Sequence, residues 1–199
     1  SNVDIVEGLV AYWNFNEGEG TTLTDQTSNG NDGTIVGATW DEDGAPVDPP
    51  PPPPDDDNYS LSFDGCNWCD DYISMGDVLD PGDNSFTFEA WVYANTLPID
   101  YSAANILSKG GTGGGTPSNN GFSIRIDENT SYITASVSDG TFYRLYSGDI
   151  SANQWYHVSI VINRELSSFL LFVNGILEDE TDISNLGPLD NNGYFRIGD

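Results

Sequence analysis

Residues Phe86 to Ala94 read FTFEAWVYA. Phe86, Phe88, Ala90, Val92 and Ala94 fall on one side of an extended chain, while Thr87, Glu89, Trp91 and Tyr93 fall on the other. Successive side chains of a strand point to opposite faces, so this period of two marks a half-buried β-strand. Working outward, further aromatic and β-branched runs lie at Leu9 to Phe15, Tyr59 to Phe63, Gly121 to Asp127, Tyr132 to Ser138, Thr141 to Ser147, Trp155 to Asn163 and Phe169 to Val173. Each is bounded by Gly, Asn, Asp or Ser, the residues that end strands. Asp139-Gly140 and Asn174-Gly175 stand between apolar runs and supply the positive φ that tight hairpins need. No segment sustains a helical period. Many short strands with frequent turns predict an all-β fold, a jelly-roll sandwich of two antiparallel sheets.

The chain of 199 residues suits one such core. Its 5 Lys plus Arg against 32 Asp plus Glu leave a formal charge of −27, which repels phosphate backbones and anionic headgroups. Nucleic-acid binding is excluded on that ground. No apolar stretch is long enough to span a bilayer, so membrane insertion is not expected. The charge is tolerable where cations screen or ligate carboxylates, which predicts a calcium-rich or saline, extracellular or cell-surface setting. The first residue is Ser1 rather than Met, as expected of a secreted, processed or excised piece of a longer precursor.

Three interruptions read as loops. Asp48 to Asp57 is DPPPPPPDDD, a polyproline rod without ladder donors, and is expected to be a surface insertion between the Trp40 and Tyr59 strands. Gly110 to Gly121 is glycine-rich and flexible in composition. Cys66 and Cys69, in DGCNWCDD, have no βαβ context for redox chemistry and too few companions for zinc, so a small disulfide loop presenting Trp68 is expected. Asn129-Thr130-Ser131 matches the N-glycosylation triplet in a hairpin loop.

The segments GLVAYWNFNEGEG (Gly8 to Gly20), NGNDGT (Asn29 to Thr34), FTFEAWVYA, WYHVSIVIN (Trp155 to Asn163) and LLFVNG (Leu170 to Gly175) occur in an order that resembles the laminin-G-like jelly roll of the concanavalin A-like lectin and glucanase superfamily. The resemblance runs from Gly8 to the end, leaving residues 1–7 as an extended N-terminal arm. It implies an extracellular binding or spacer module. DQTSNGNDGT, Asp25 to Thr34, is a Gly-punctuated loop whose Asp25, Asn29, Asn31 and Asp32 can gather hard oxygens around calcium, and relatives carry calcium in this segment.

Glucanases of this architecture place carboxylates on one strand as E-x-D-x-E, and no such pattern occurs here. Glu89 has Thr87 and Trp91 at two-residue spacing, and reads as a structural acceptor. The one histidine, His157, reads as packed and hydrogen-bonded. No nucleophilic triad is indicated. The expected function is therefore non-catalytic, with a glycoside hydrolase relative the minor alternative. Two roles are predicted from different classes. In the first, a calcium-associated adhesion module binds glycans or a cell-surface protein through loop aromatics, with Trp68, Tyr101, Tyr143, Tyr146 and Tyr194 as candidates. In the second, the chain is a structural subunit of a filament or sheath made of copies of itself. Relatives continue past a YFRIGD-like strand with a closing strand, which leaves an open edge near Trp13 and Phe15 here, for which residues 1–7 are a candidate donor.

Overall fold

A computed structural model describes residues 8–44, 59–64, 71–98, 103–110, 120–127 and 131–198. The strands, in chain order, are β1 (Thr22–Leu23), β2 (Gly33–Val36), β3 (Thr39–Asp41), β4 (Ser60–Ser62), β5 (Tyr72–Gly76), β6 (Phe86–Tyr93) and β7 (Ala104–Lys109). They continue as β8 (Asn120–Ile126), β9 (Tyr132–Asp139), β10 (Phe142–Asp149), β11 (Trp155–Asn163), β12 (Ser168–Val173), β13 (Ile176–Asp182) and β14 (Phe195–Gly198). Eight of them form one antiparallel sheet in the order β1-β2-β5-β14-β7-β8-β9-β10, four form a second in the order β13-β12-β11-β6, and β3 and β4 pair as a ribbon. This is the expected all-β sandwich.

The alternation read from the sequence decides which side of each strand meets the core. Phe122, Ile124 and Ile126 of β8, with Ile133, Ala135 and Val137 of β9, face Val158, Ile160 and Ile162 of β11 and Phe169 and Leu171 of β12. Each of these Val, Leu, Ile and Phe side chains contributes roughly 1.5–3 kcal/mol by leaving water. Phe88 ties the layers together, stacking on Phe122 at 4.6 Å and on Phe195 at 5.7 Å. β11 turns into β12 after Asn163, and β12 into β13 through Asn174 and Gly175, both at positive φ (50° and 74°), the turn that the Asn-Gly pair predicts.

The Leu9 to Phe15 run is not a strand. Phe15 lies in the left-handed region at φ 57°, Trp13 stacks on Phe195 at 5.9 Å, and its indole Nε1 donates to the Asn31 carbonyl at 3.0 Å. Its apolar residues are half-buried against the core by a looping backbone rather than a pleated one. The sequence also held no clear signal for β5 and β7, which are central in the larger sheet.

Lys109 points into the protein with its side chain fully buried. Its Nζ lies 2.8 Å from Asp77 Oδ1 and 3.2 Å from Asp80 Oδ1, and donates to the Gly193 carbonyl at 3.0 Å. A buried ammonium is tolerated only when paired and hydrogen-bonded in this way. The free edge of β10 is capped by carboxylates: Asp179 Oδ2 accepts from the Tyr146 amide at 3.1 Å and Glu178 Oε2 from the Gly148 amide at 2.9 Å. No helix among the described residues is long and apolar enough to cross a membrane. Residues 1–7, the proline run at 48–57, Cys66, Trp68, Cys69, Tyr101 and Asn129 lie outside the described residues.

Candidate functional site

The outer face of the four-stranded sheet carries an exposed block of rings. On β6 the residues between the core positions are Thr87, Glu89, Trp91 and Tyr93; on β11 they are Trp155, His157, Ser159 and Val161. Antiparallel register sets Tyr93 opposite Trp155 and Trp91 opposite His157. Directly opposed side chains of neighbouring strands touch, and their rings do so here at 5.4 Å and 5.1 Å between centroids. Trp91 remains 47% and Tyr93 41% exposed, unusual for aromatics of this size. Beside the block, Glu89 Oε2 lies 3.9 Å from His157 Nε2. That separation is too long for a direct hydrogen bond and suits one bridging hydroxyl or water. Phe172 of β12, opposite Ser159, and Leu177 of β13, opposite Phe172, continue the apolar surface.

The arrangement offers ring faces and edges for apolar contact, with a carboxylate and an imidazole at the margin for hydroxyls. Residues two apart on a strand are separated by about 6.7 Å and adjacent strands by about 4.8 Å, so the block spans roughly the footprint of one or two pyranose rings. His157 is packed against Trp91 but on this outer face, its side chain 29% exposed; its backbone amide donates to Asn174 Oδ1 at 2.9 Å and its carbonyl accepts from the Asn174 amide at 2.8 Å. Glu89 is exposed on the same face.

The Asp25 loop is built differently. Asp25 is 5% exposed and its carboxylate is fully occupied. Oδ1 accepts from the amides of Tyr12 at 3.0 Å and Thr27 at 2.9 Å, and Oδ2 from the Asn31 amide at 2.9 Å and the Thr27 hydroxyl at 2.8 Å. Burial pushes its pKa up, but the hydrogen bonds of Tyr12, Thr27 and Asn31 outweigh burial and hold it below its ordinary value. Asp32 Oδ1 accepts from the Asp25 amide at 2.9 Å. Both carboxylates therefore serve the chain itself, and Asp25 has no lone pair left for a metal. Among the described residues, no three His, Cys, Asp or Glu side chains gather as a metal-holding group.

The Val10 carbonyl nearby is over-subscribed. It accepts from Asn29 Nδ2 at 2.8 Å, Asn31 Nδ2 at 3.1 Å and Thr27 Oγ1 at 3.4 Å, three donors on an oxygen with two lone pairs. A half-turn of either carboxamide exchanges its nitrogen for its oxygen at little steric cost. Of the four expected ligands, the geometry thus closes Asp25 to a metal, sets the Asn29 and Asn31 carboxamides at the Val10 carbonyl, and leaves Asp32 exposed with its Oδ1 on the Asp25 amide.

Of the expected ligand-binding aromatics, Tyr143 faces inward, half-buried against the core, while Tyr146 is exposed on the outer face of β10 and Tyr194 is exposed just before β14. The structure does not bring these three together. Trp91, Tyr93, Trp155 and His157 were not singled out from the sequence as ligand-binding, although the alternation of FTFEAWVYA already placed Trp91 and Tyr93 away from the core.

The model of the concanavalin A-like lectin/glucanases superfamily matches residues 67–199, and the chain belongs to that family. No curated protein matches it. Among solved structures, the binding domain of Paraclostridial Mosquitocidal Protein 1 superposes with a TM-score of 0.68 at 16% identity, over 90% of this chain and 42% of that one. The binding domain of botulinum neurotoxin serotype G superposes with a TM-score of 0.60 at 15% identity, over 88% of this chain and 40% of that one. The chain thus spans less than half the length of these structures. At such identity the likeness is one of fold.

Proposed function

We propose that this domain is a non-catalytic, extracellular glycan-binding module that receives a neutral saccharide on the Trp91, Tyr93, Trp155 and His157 block. The observation that supports the reading most is the exposure of Trp91 and Tyr93, each resting against a half-buried ring of β11, on a sheet where stacking costs little side-chain entropy. The sugar's apolar face lies on Trp91 and Tyr93, and its hydroxyls bridge Glu89 and His157. That the toxin structures sharing this fold are themselves binding domains agrees with this assignment. Glu89 alone does not make a glycosidase, which needs two carboxyls across one bond.

A neutral-glycan array followed by calorimetry on the hits tests the reading. Binding that falls at least tenfold in Trp91→Ala while Tyr146→Ala leaves it intact supports it; hits indifferent to Trp91 refute it. Calcium enters the proposal as an accessory. It would sit on the Val10 carbonyl and the Asn29 and Asn31 carboxamides, stiffening the loop. Three neutral oxygens and water make a weak site, of the millimolar order seen for extracellular modules.

A second reading rests on β6. Among the described residues it is the terminal strand of its sheet, eight residues long and with Glu89 its sole charge, and Phe86, Phe88, Ala90 and Val92 on it are only half-buried. Such an edge accepts an added strand, so copies could join through residues 1–7 into a filament. Sedimentation of a chain lacking residues 1–7 tests this: assembly as good as that of the full chain removes the arm as donor.

A further inference from the structure

Four asparagines of the chain stand directly before a glycine: Asn29, Asn120, Asn174 and Asn192. Such a pair is open to a reaction that needs no enzyme. The glycine nitrogen, once deprotonated, attacks the asparagine Cγ, ammonia leaves, and a five-membered succinimide closes. Water then opens the ring at one of its two carbonyls and gives aspartate or isoaspartate. In sum, water is consumed, ammonia is released, and nothing is oxidised or reduced. Glycine favours the step because it has no Cβ in the way and adopts the backbone angles that the ring needs. Ring closure makes three demands on a fold: a glycine N–H not tied into a hydrogen bond, a carboxamide able to swing toward it, and open space around the peptide.

Three of the four pairs fail these demands. Gly121 lies inside β8, in register with Ser138, where an added Cβ would run into the Lys109 carbonyl, and the Asn120 carboxamide donates to the Pro188 carbonyl at 3.2 Å. Asn174 is pinned twice to one residue: its amide donates to the His157 carbonyl at 2.8 Å, and its Oδ1 accepts from the His157 amide at 2.9 Å. The Gly193 N–H donates to Asn191 Oδ1 at 2.7 Å, and a Cβ on that glycine would stand 2.7 Å from Gly110 Cα.

Asn29 meets all three. It and Gly30 are exposed in the turn before β2. Gly30 has a φ of 69°, and no atom lies within 4 Å of where its Cβ would be. Among the described residues its N–H has no hydrogen-bond partner. The Asn29 carboxamide is held by one bond, Nδ2 to the Val10 carbonyl at 2.8 Å, on an oxygen that Asn31 Nδ2 and Thr27 Oγ1 also share. When Asn29 swings away, Val10 keeps its other two donors, so release disturbs the loop little. We infer that Asn29 deamidates spontaneously in the folded protein, and that the change tightens the loop's hold on calcium. In the product an oxygen stands where Nδ2 faced the Val10 carbonyl, two acceptors with no hydrogen between them. A cation placed between them removes that repulsion, and calcium affinity is tuned by the charge count of the ligands. The calcium half rests on the accessory-calcium reading above; the deamidation half does not.

The test keeps the full chain folded at mildly alkaline pH and body temperature, and follows it in time by peptide mass mapping with separation of the aspartyl and isoaspartyl forms. Asn29 is expected to convert at least tenfold faster than Asn120, Asn174 or Asn192. The same chain unfolded in urea should lose that selectivity, because all four pairs are then open. Conversion led by any of the other three pairs overturns the deamidation half. So does a folded chain that stays intact over the time in which the urea-unfolded chain converts fully. Melting of Asn29→Asp and of freshly prepared wild type, each in calcium and in chelator, tests the other half. Calcium should raise the melting temperature of the variant at least three times as much as that of the wild type. An equal rise in both overturns the calcium half, whatever the mass map shows.

Discussion

The Asp25 loop and the ring block of the four-stranded sheet use polar and aromatic groups in opposite ways. In the loop, one buried carboxylate takes four donors from three residues, Tyr12 and, in its own loop, Thr27 and Asn31. In the ring block, four rings meet in two cross-strand pairs, and Glu89 and His157 stop just short of bonding. The first region has closed its chemistry on itself and holds the fold. The second has left it open, on the face where ligand binding is proposed. A motif rich in metal-ligand residue types is thus no guide to a site until its hydrogen bonds have been followed to their ends.

Breaking the closed region should cost the most. Asp25→Ala strands the Tyr12, Thr27 and Asn31 amides, and hydrogen bonds to charged groups are worth about 1.5–3 kcal/mol each, so a loss of at least 3 kcal/mol is expected in urea unfolding. For a domain of this size that is a fall of about 6–12 °C in Tm. Glycan binding by the fraction still folded should not change. The open region should respond the other way: Trp91→Ala lowers neutral-glycan affinity at least tenfold, about 1.4 kcal/mol, with Tm nearly unmoved because the ring is half in water.

Acid sharpens the contrast. Because the folded Asp25 carboxyl titrates below its ordinary 3.8, its stabilisation is present above that pH and is lost as pH falls through the folded value. Stability of the wild type should therefore drop more steeply below pH 4 than that of Asp25→Asn, compared by urea midpoints across the range. Asp139, lowered by the Gly187 amide and by Arg164, adds a slope of the same sign in both proteins. Smaller effects come last. Glu89→Gln should weaken neutral-glycan binding by two- to threefold, since an exposed margin contact is worth about 0.5 kcal/mol. One millimolar calcium should raise Tm over chelator by only 1–2 °C or so, as a site half-saturated there adds about 0.4 kcal/mol. A rise of ten degrees would mean that the Asp25 carboxylate has turned to the metal.

Much of the architecture was legible. The WYHVSIVIN run coincides with β11 end to end, and FTFEAWVYA showed at once which residues of β6 meet the core and which do not. Local alternation sufficed because these strands are long and face water on one side. It misled at Leu9 to Phe15, where apolar spacing reflects packing of Trp13 on Phe195 and the left-handed Phe15 breaks the pleat. The ring block was half legible: Trp91 and Tyr93 were visibly outward, but their union with Trp155 and His157 depends on the pairing of β6 with β11, some 65 residues apart in the chain. Sequence alone carries no record of that register.

Lys109 is the chain's one lysine, and it is sealed between Asp77, Asp80 and the Gly193 carbonyl. The native surface of the described residues therefore offers no side-chain amine. Acylating reagents, aldehyde fixatives and lysine-directed enzymes find nothing there to modify while β7 stays docked. Any modification of this residue then counts openings of the sandwich, so with a lysine reagent in solution the protein keeps a clock of its own unfolding, readable as one mass increment at one site.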